Sequence, residues 1–136
     1  MKNQDIEQAV FEEFLKVSQL KIENLSPFDQ PRLTFQFGER KVGVELTDLF
    51  GPERSIDKIR TTLRKKIEKD HAFPGHETWL LLYANHEPVD DKENLSEEMP
   101  QIERLVAEFL SIKKEIARVI IFDMASKQIP LEMIRS

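Results

Sequence analysis

Between residues 31 and 47 apolar and polar side chains alternate around a short glycine-containing turn, and this pattern restricts the fold more than any other part of the chain. As a β-hairpin, it puts Leu33, Phe35, Phe37, Val42, Val44 and Leu46 on one face. Arg32, Thr34, Gln36, Glu45 and Thr47 fall on the other. The first face demands a core against it. The second is a polar platform that carries a carboxylate on its far strand. Gly38-Glu39-Arg40 supplies the turn, and Gly43 leaves the platform uncrowded beside Glu45.

The remaining elements follow from periodicity. A helix is expected over about residues 3–18, a short strand near 20–25, the hairpin over 32–47, and a helix over 55–70. In the latter, Ile56, Ile59, Leu63 and Ile67 recur at helical spacing, with Ser55 as a cap and Asp57 in the first turn. Thr78–Ala84 is a continuous apolar run that suits a strand covered on both faces, in the middle of a sheet. Ile102, Leu105, Val106, Phe109 and Ile112 mark a helix over 98–114, with Pro100 in its first turn. Arg118–Met124 is a last buried strand, and residues 129–134 either pair with it or cover an edge. Residues 86–98 form a long polar loop, not a domain boundary.

Composition sets the outer limits. A chain of 136 residues with 40% hydrophobic content and no internal repeat makes one domain, residues 1–136. No run approaches the ~18 apolar residues of a membrane helix, and the N-terminal residues do not resemble a secretory signal. Without cysteine there are no disulfides or zinc thiolates, which is compatible with a cytoplasmic location. A net charge of −5 argues against nonspecific nucleic-acid binding over the whole surface, so any such site must be local.

Several side chains stand out chemically. Arg32 and Glu45, on adjacent strands and the same face, can pair across the sheet. On the helix over 55–70, Lys58, Lys65 and Lys69 form a basic stripe, while Arg60 and Arg64 flank the core side. Arg60 is placed to turn toward the end of the hairpin. The stripe reads either as a solvated outer face or as a nucleic-acid contact made through phosphates. On the first helix Ile6, Val10, Val17 and Leu20 cluster on a face whose centre holds Glu13, which either reaches a cation or sits on the rim in water. His71, His76 and His86 share no helix face and read as surface or loop-packing residues. Asp90, Asp91 and Glu93 lack the spacing of a calcium loop, and Trp79 and Tyr83 read as core.

The segment Gly43-Val44-Glu45-Leu46-Thr47, carried on the far strand of a hairpin and followed by a long helix, resembles the PD-(D/E)XK, or restriction-endonuclease-like, nuclease superfamily. It is similar to the branch in which Thr replaces the motif Lys. The order helix, three strands, helix, strand agrees over roughly the first two thirds of the chain. The resemblance implies an α/β three-layer sandwich, a mixed central sheet flanked by helices. It also implies Glu45 and Thr47 as site residues and Glu13 as an acid contributed by the first helix. Where the family pattern has Pro-Asp, this chain has Pro31-Arg32. A guanidinium there changes the local charge by two units against a divalent ion.

Three readings follow. The first is a nuclease-like domain with an incomplete metal site, without cofactor, that binds a protein or nucleic-acid partner. The second is a magnesium- or manganese-dependent phosphodiesterase with Glu45 and Asp29 as metal ligands and Lys58 or Arg60 supplying positive charge. The third is an acidic immunity or accessory protein that contacts a basic partner through the helix from residue 98 and the loop before it. An uncovered sheet edge would also permit a homodimer.

Overall fold

A computed structural model describes residues 3–27, 32–49, 56–71, 73, 75–84 and 95–135. The described chain runs α1 (Asn3–Ser18), β1 (Glu23–Pro27), β2 (Arg32–Phe37), β3 (Arg40–Asp48), α2 (Ile56–Ile67), β4 (Glu77–Ala84), α3 (Leu95–Ile112), β5 (Ile116–Asp123) and β6 (Gln128–Ile134). The six strands form one mixed sheet in the order β1-β2-β3-β4-β5-β6. β1, β2 and β3 are an antiparallel meander. β3, β4 and β5 are parallel, with α2 and α3 in the crossovers, and β6 returns antiparallel to β5.

The hairpin is as its alternation requires. A two-residue turn at Gly38-Glu39 joins its strands, and Gly38 has φ +63°, a left-handed value that glycine adopts without a Cβ penalty. Leu33 pairs with Val44 and Phe35 with Val42, so the apolar face is continuous across the two strands. That face packs with Trp79, Leu81, Ile120 and Phe122 against Val10, Phe11 and Phe14 of α1. The rings of Phe11, Phe35 and Trp79 stand in sequence at centroid distances of 5.2 Å, the range in which edge and offset contacts add to burial.

The opposite face of the sheet is covered by the other two helices. Ile59 and Leu63 of α2 and Ile102, Val106 and Phe109 of α3 pack on Leu80, Leu82, Val119 and Ile121. β4 is buried on both faces because α1 lies on one side and α2 with α3 on the other. The described residues are therefore α/β, with three helices on the two faces of a six-stranded mixed sheet.

Two expectations shift, and of the two alternatives for residues 129–134 the pairing holds. The buried stripe of α1 is centred on Phe11 and Phe14, the largest apolar side chains of the helix, and this leaves Val17 exposed. α3 begins at Leu95, so Pro100 lies beyond the first turn and forgoes the hydrogen bond that an amide there would donate. The residues from 129 pair with β5 as strand β6. Ser55, Asp29, His86 and the acidic residues 90, 91 and 93 lie outside the described residues.

Candidate functional site

The platform face of β3 turns toward α2, so Glu45 meets whatever α2 presents there. Lys66 lies seven residues after Ile59, within about 20° of it around the helix, and so projects to the same buried side as the core residues. Its Nζ is 2.9 Å from Glu45 Oε2. The ammonium lies off the hydrogen-bonding direction, so Oε2 has an ion-pair partner but no aligned donor. Glu45 is 6% exposed, and the Lys66 side chain is 12% exposed.

His71 completes the clasp from the loop after α2. Its Nδ1 is 3.3 Å from Glu45 Oε1 and its Nε2 is 2.7 Å from the Lys66 carbonyl oxygen. Both ring nitrogens face acceptors. A neutral ring donates from one nitrogen only, and a protonated ring from both. Non-local contacts fix the loop. The His71 N–H donates to Glu115 Oε2 at 3.2 Å, the Thr78 hydroxyl donates to the His71 carbonyl at 3.2 Å, and Lys113 Nζ donates to the Lys69 carbonyl at 2.6 Å. The Phe73 ring lies over Gly43, where a Cβ would come within 2.9 Å of it. Glycine beside Glu45 thus seats the loop that delivers His71.

Burial alone would raise the Glu45 pKa, but the His71 hydrogen bond and the Lys66 charge outweigh it and hold the carboxyl at about 2. Glu7 on α1 is affected in the opposite sense. Burial and the Glu45 charge push it up, and Lys66 only partly offsets them. Tyr83, paired in register with Asp48, is pushed up to about 12 by burial and by the charges of Asp48 and Glu7. The acid that α1 brings into the field of Glu45 is therefore Glu7. Glu7 lies four residues before Phe11 and seven before Phe14, on the buried face of the helix.

Glu13, expected in this role, is directed elsewhere. Its carboxylate oxygens meet Lys16 at 3.3 Å and Lys127, beyond β5, at 3.7 Å. Lys127 adjoins β6, three strand spacings from β3, roughly 14 Å across the sheet. Arg32 stands directly opposite Glu45 in the β2–β3 register, while its side chain lies outside the described residues. Arg60 does not turn toward the hairpin. It bonds Asp57 at 3.3 Å and lines a groove against α3 with Arg104 and Glu108, because it projects from the opposite flank of α2 to Lys58, Lys65 and Lys69. Among the described side chains the cation beside Glu45 is Lys66, which lies outside the basic stripe of Lys58, Lys65 and Lys69.

Next to this clasp lies a cleft of about 480 Å³ between the C-terminal end of β3 and α2. Thr47 and Asp48 line it from the strand, and Lys58, Lys65, Lys66 and Lys69 line it from the helix and the residues after it. The Thr47 hydroxyl is buried without a hydrogen-bond partner. Thus three of the four expected phosphate-binding residues gather beside Thr47, and Arg60 does not join them.

The donor set does not suit a divalent ion. Magnesium requires oxygen ligands, and here one oxygen of Glu45 faces the Lys66 ammonium and the other the His71 ring. Among the described residues no three acidic, His or Cys side chains are grouped so as to hold a metal. Nor is any helix among them long and apolar enough to cross a membrane. No family model, curated protein or solved structure matches the chain.

Proposed function

We propose that this chain is a restriction-endonuclease-like domain in which organic cations hold the strand-borne acid, and that it binds nucleic acid without cleaving it. The observation that carries the reading is the 2.9 Å contact between Lys66 Nζ and Glu45 Oε2, with His71 on the other oxygen. A nuclease of this type needs its acid free for a metal ion. In this chain the acid is already neutralised, and removing either partner would strand a buried charge. The lysine-lined cleft beside Thr47 supports the nucleic-acid part of the proposal, since phosphate contacts supply most of the affinity in such complexes.

The competing reading, a magnesium- or manganese-dependent phosphodiesterase using Glu45 and Asp29, requires a metal ion to displace the Lys66 ammonium. Titration calorimetry with each ion separates the two. The proposal expects no saturable heat from the wild-type protein and salt-sensitive binding of a labelled oligonucleotide. Metal binding that is abolished by Glu45→Ala returns the phosphodiesterase to first place. Failure to bind any nucleic acid at low salt removes the proposed ligand.

A further inference from the structure

The cleft beside Thr47 has a more particular shape of charge than a surface that tracks a polynucleotide backbone. Lys58, Lys65 and Lys69 follow one flank of α2 and its C-terminal end at spacings of seven and four, and so rise along one wall. Glu45 holds the fourth lysine of the wall, Lys66. Lys65 and Lys69 enter no ion pair among the described residues. From the facing strand comes Thr47, whose hydroxyl is buried and has no partner. A change of χ1 carries the hydroxyl to another staggered position, and this is the step by which it would reach a ligand in the cleft.

Four lysines gather at this cleft. The chain as a whole carries −5, and Asp48 and Asp57 lie in the walls of the same cleft. The lysine cluster is compact, so a long polyanion centred there would leave most of its phosphates outside it. A ligand whose charge is concentrated at one end would not. A phosphomonoester has a second ionisation near pH 6 and carries nearly two charges at neutral pH, against one for each internal diester, so a compact group of cations favours it. The cleft volume of about 480 Å³ falls in the range of small-ligand sites, enough for one nucleotide.

We propose that this cleft grips the phosphomonoester of a terminal nucleotide, with Lys65, Lys69 and the Thr47 hydroxyl on the phosphate. The inference rests on the nucleic-acid reading above and narrows it from a strand to the end of a strand. The same chemistry has two sources, the 5′-phosphorylated end of a single strand and a free nucleoside monophosphate.

The test titrates the full chain into a short fluorescent single-stranded DNA bearing either a 5′-phosphate or a 5′-hydroxyl, with adenosine monophosphate as competitor. The 5′-phosphate strand should bind about tenfold more tightly than its hydroxyl counterpart. Lys65→Gln with Lys69→Gln should erase that preference, and Thr47→Val should reduce it several-fold. Arg104→Gln, in the groove between α2 and α3, should leave it unchanged. Equal binding of the two strands, still lost with Lys65 and Lys69, overturns the terminal phosphate and leaves the nucleic-acid reading standing. Saturable monophosphate binding with no strand binding supports the phosphate site and removes the nucleic-acid reading. No binding of any of the three overturns both. All of these variants change exposed or part-exposed side chains, and circular dichroism on each is the check that the fold is retained.

Discussion

Two charged side chains are withdrawn from water to the same degree on opposite faces of the sheet, and they serve different ends. Glu45 and Arg118 are each 6% exposed. Arg118 donates to Glu132 at 2.8 Å on the neighbouring strand, and its guanidinium lies 4.0 Å from the centroid of the Trp79 ring and 5.6 Å from that of Phe37. Its partners are strand neighbours and aromatic faces, and it fills space in a packed layer. Glu45 takes its partners from α2 and the loop beyond it, and its ion-pair partner Lys66 lines a cleft. Burial of a charge therefore does not mark a site by itself. What distinguishes Glu45 is that its clasp adjoins a void lined with further cations.

The largest expected effect breaks or keeps this contrast directly. Lys66→Met leaves a carboxylate that cannot reach water, and should cost about 3–5 kcal/mol in denaturant unfolding at neutral pH. Removing both charges, Glu45→Leu with Lys66→Met, should recover most of that loss. Arg118→Met should cost less, about 1–2 kcal/mol, because the Glu132 it abandons is 32% exposed and can be hydrated. Equal losses for the two single variants would mean that both ion pairs are simple core elements and that Glu45 and Arg118 do not differ in role.

How far this contrast could be read from residues alone depended on whether the determining contacts were local. The alternation through Leu33, Phe35, Val42, Val44 and Leu46 fixed the face of Glu45 because a strand has only two faces. The apolar run Trp79–Tyr83 identified an interior strand for the same reason. Lys66 carried a usable signal. A lysine seven residues after Ile59 and three after Leu63 sits at the edge of the apolar stripe of α2, where its burial calls for an anion. Glu7 carried a similar one through Phe11 and Phe14. His71 carried none. Its seat is built by Glu115 and Thr78, distant in sequence, and by Phe73 over Gly43, so no local spacing announces it.

Acid titration gives the next effect in size. The Glu45 pKa falls from the ordinary 4.5 to about 2 on folding. A depressed carboxyl contributes its stability in full above the unfolded value, and loses it as pH falls from 4.5 toward 2. The contribution at neutral pH is on the order of 3 kcal/mol. Glu7, shifted upward, has the opposite sign. It favours the fold most below its unfolded value, and that advantage disappears as pH rises through its folded value. Urea midpoints measured from neutral to strongly acid pH should therefore fall in the wild type. They should fall much less in Glu45→Gln, and Arg118→Met should keep the wild-type slope. A wild-type slope in Glu45→Gln would mean that the clasp does not hold the acid ionised.

The smallest effect decides which acid of α1 belongs to the Glu45 end of the molecule. Tyr83 is the chain's one tyrosine, so the phenolate absorbance reports it without ambiguity. Burial and the charges of Asp48 and Glu7 put its titration at about 12, and both acids act by opposing a third negative charge beside them. Glu7→Gln removes one of these charges and should lower the midpoint by a fraction of a unit. Glu13→Gln should leave it in place, because that carboxylate is held by Lys16 and Lys127. Near-ultraviolet circular dichroism over the same range confirms that the phenol titrates in the folded chain. A midpoint that moves with Glu13 and not with Glu7 would return Glu13 to the site. The clasp would then border a different face of α1, and the electrostatic contrast between Glu45 and Arg118 would have to be redrawn around it.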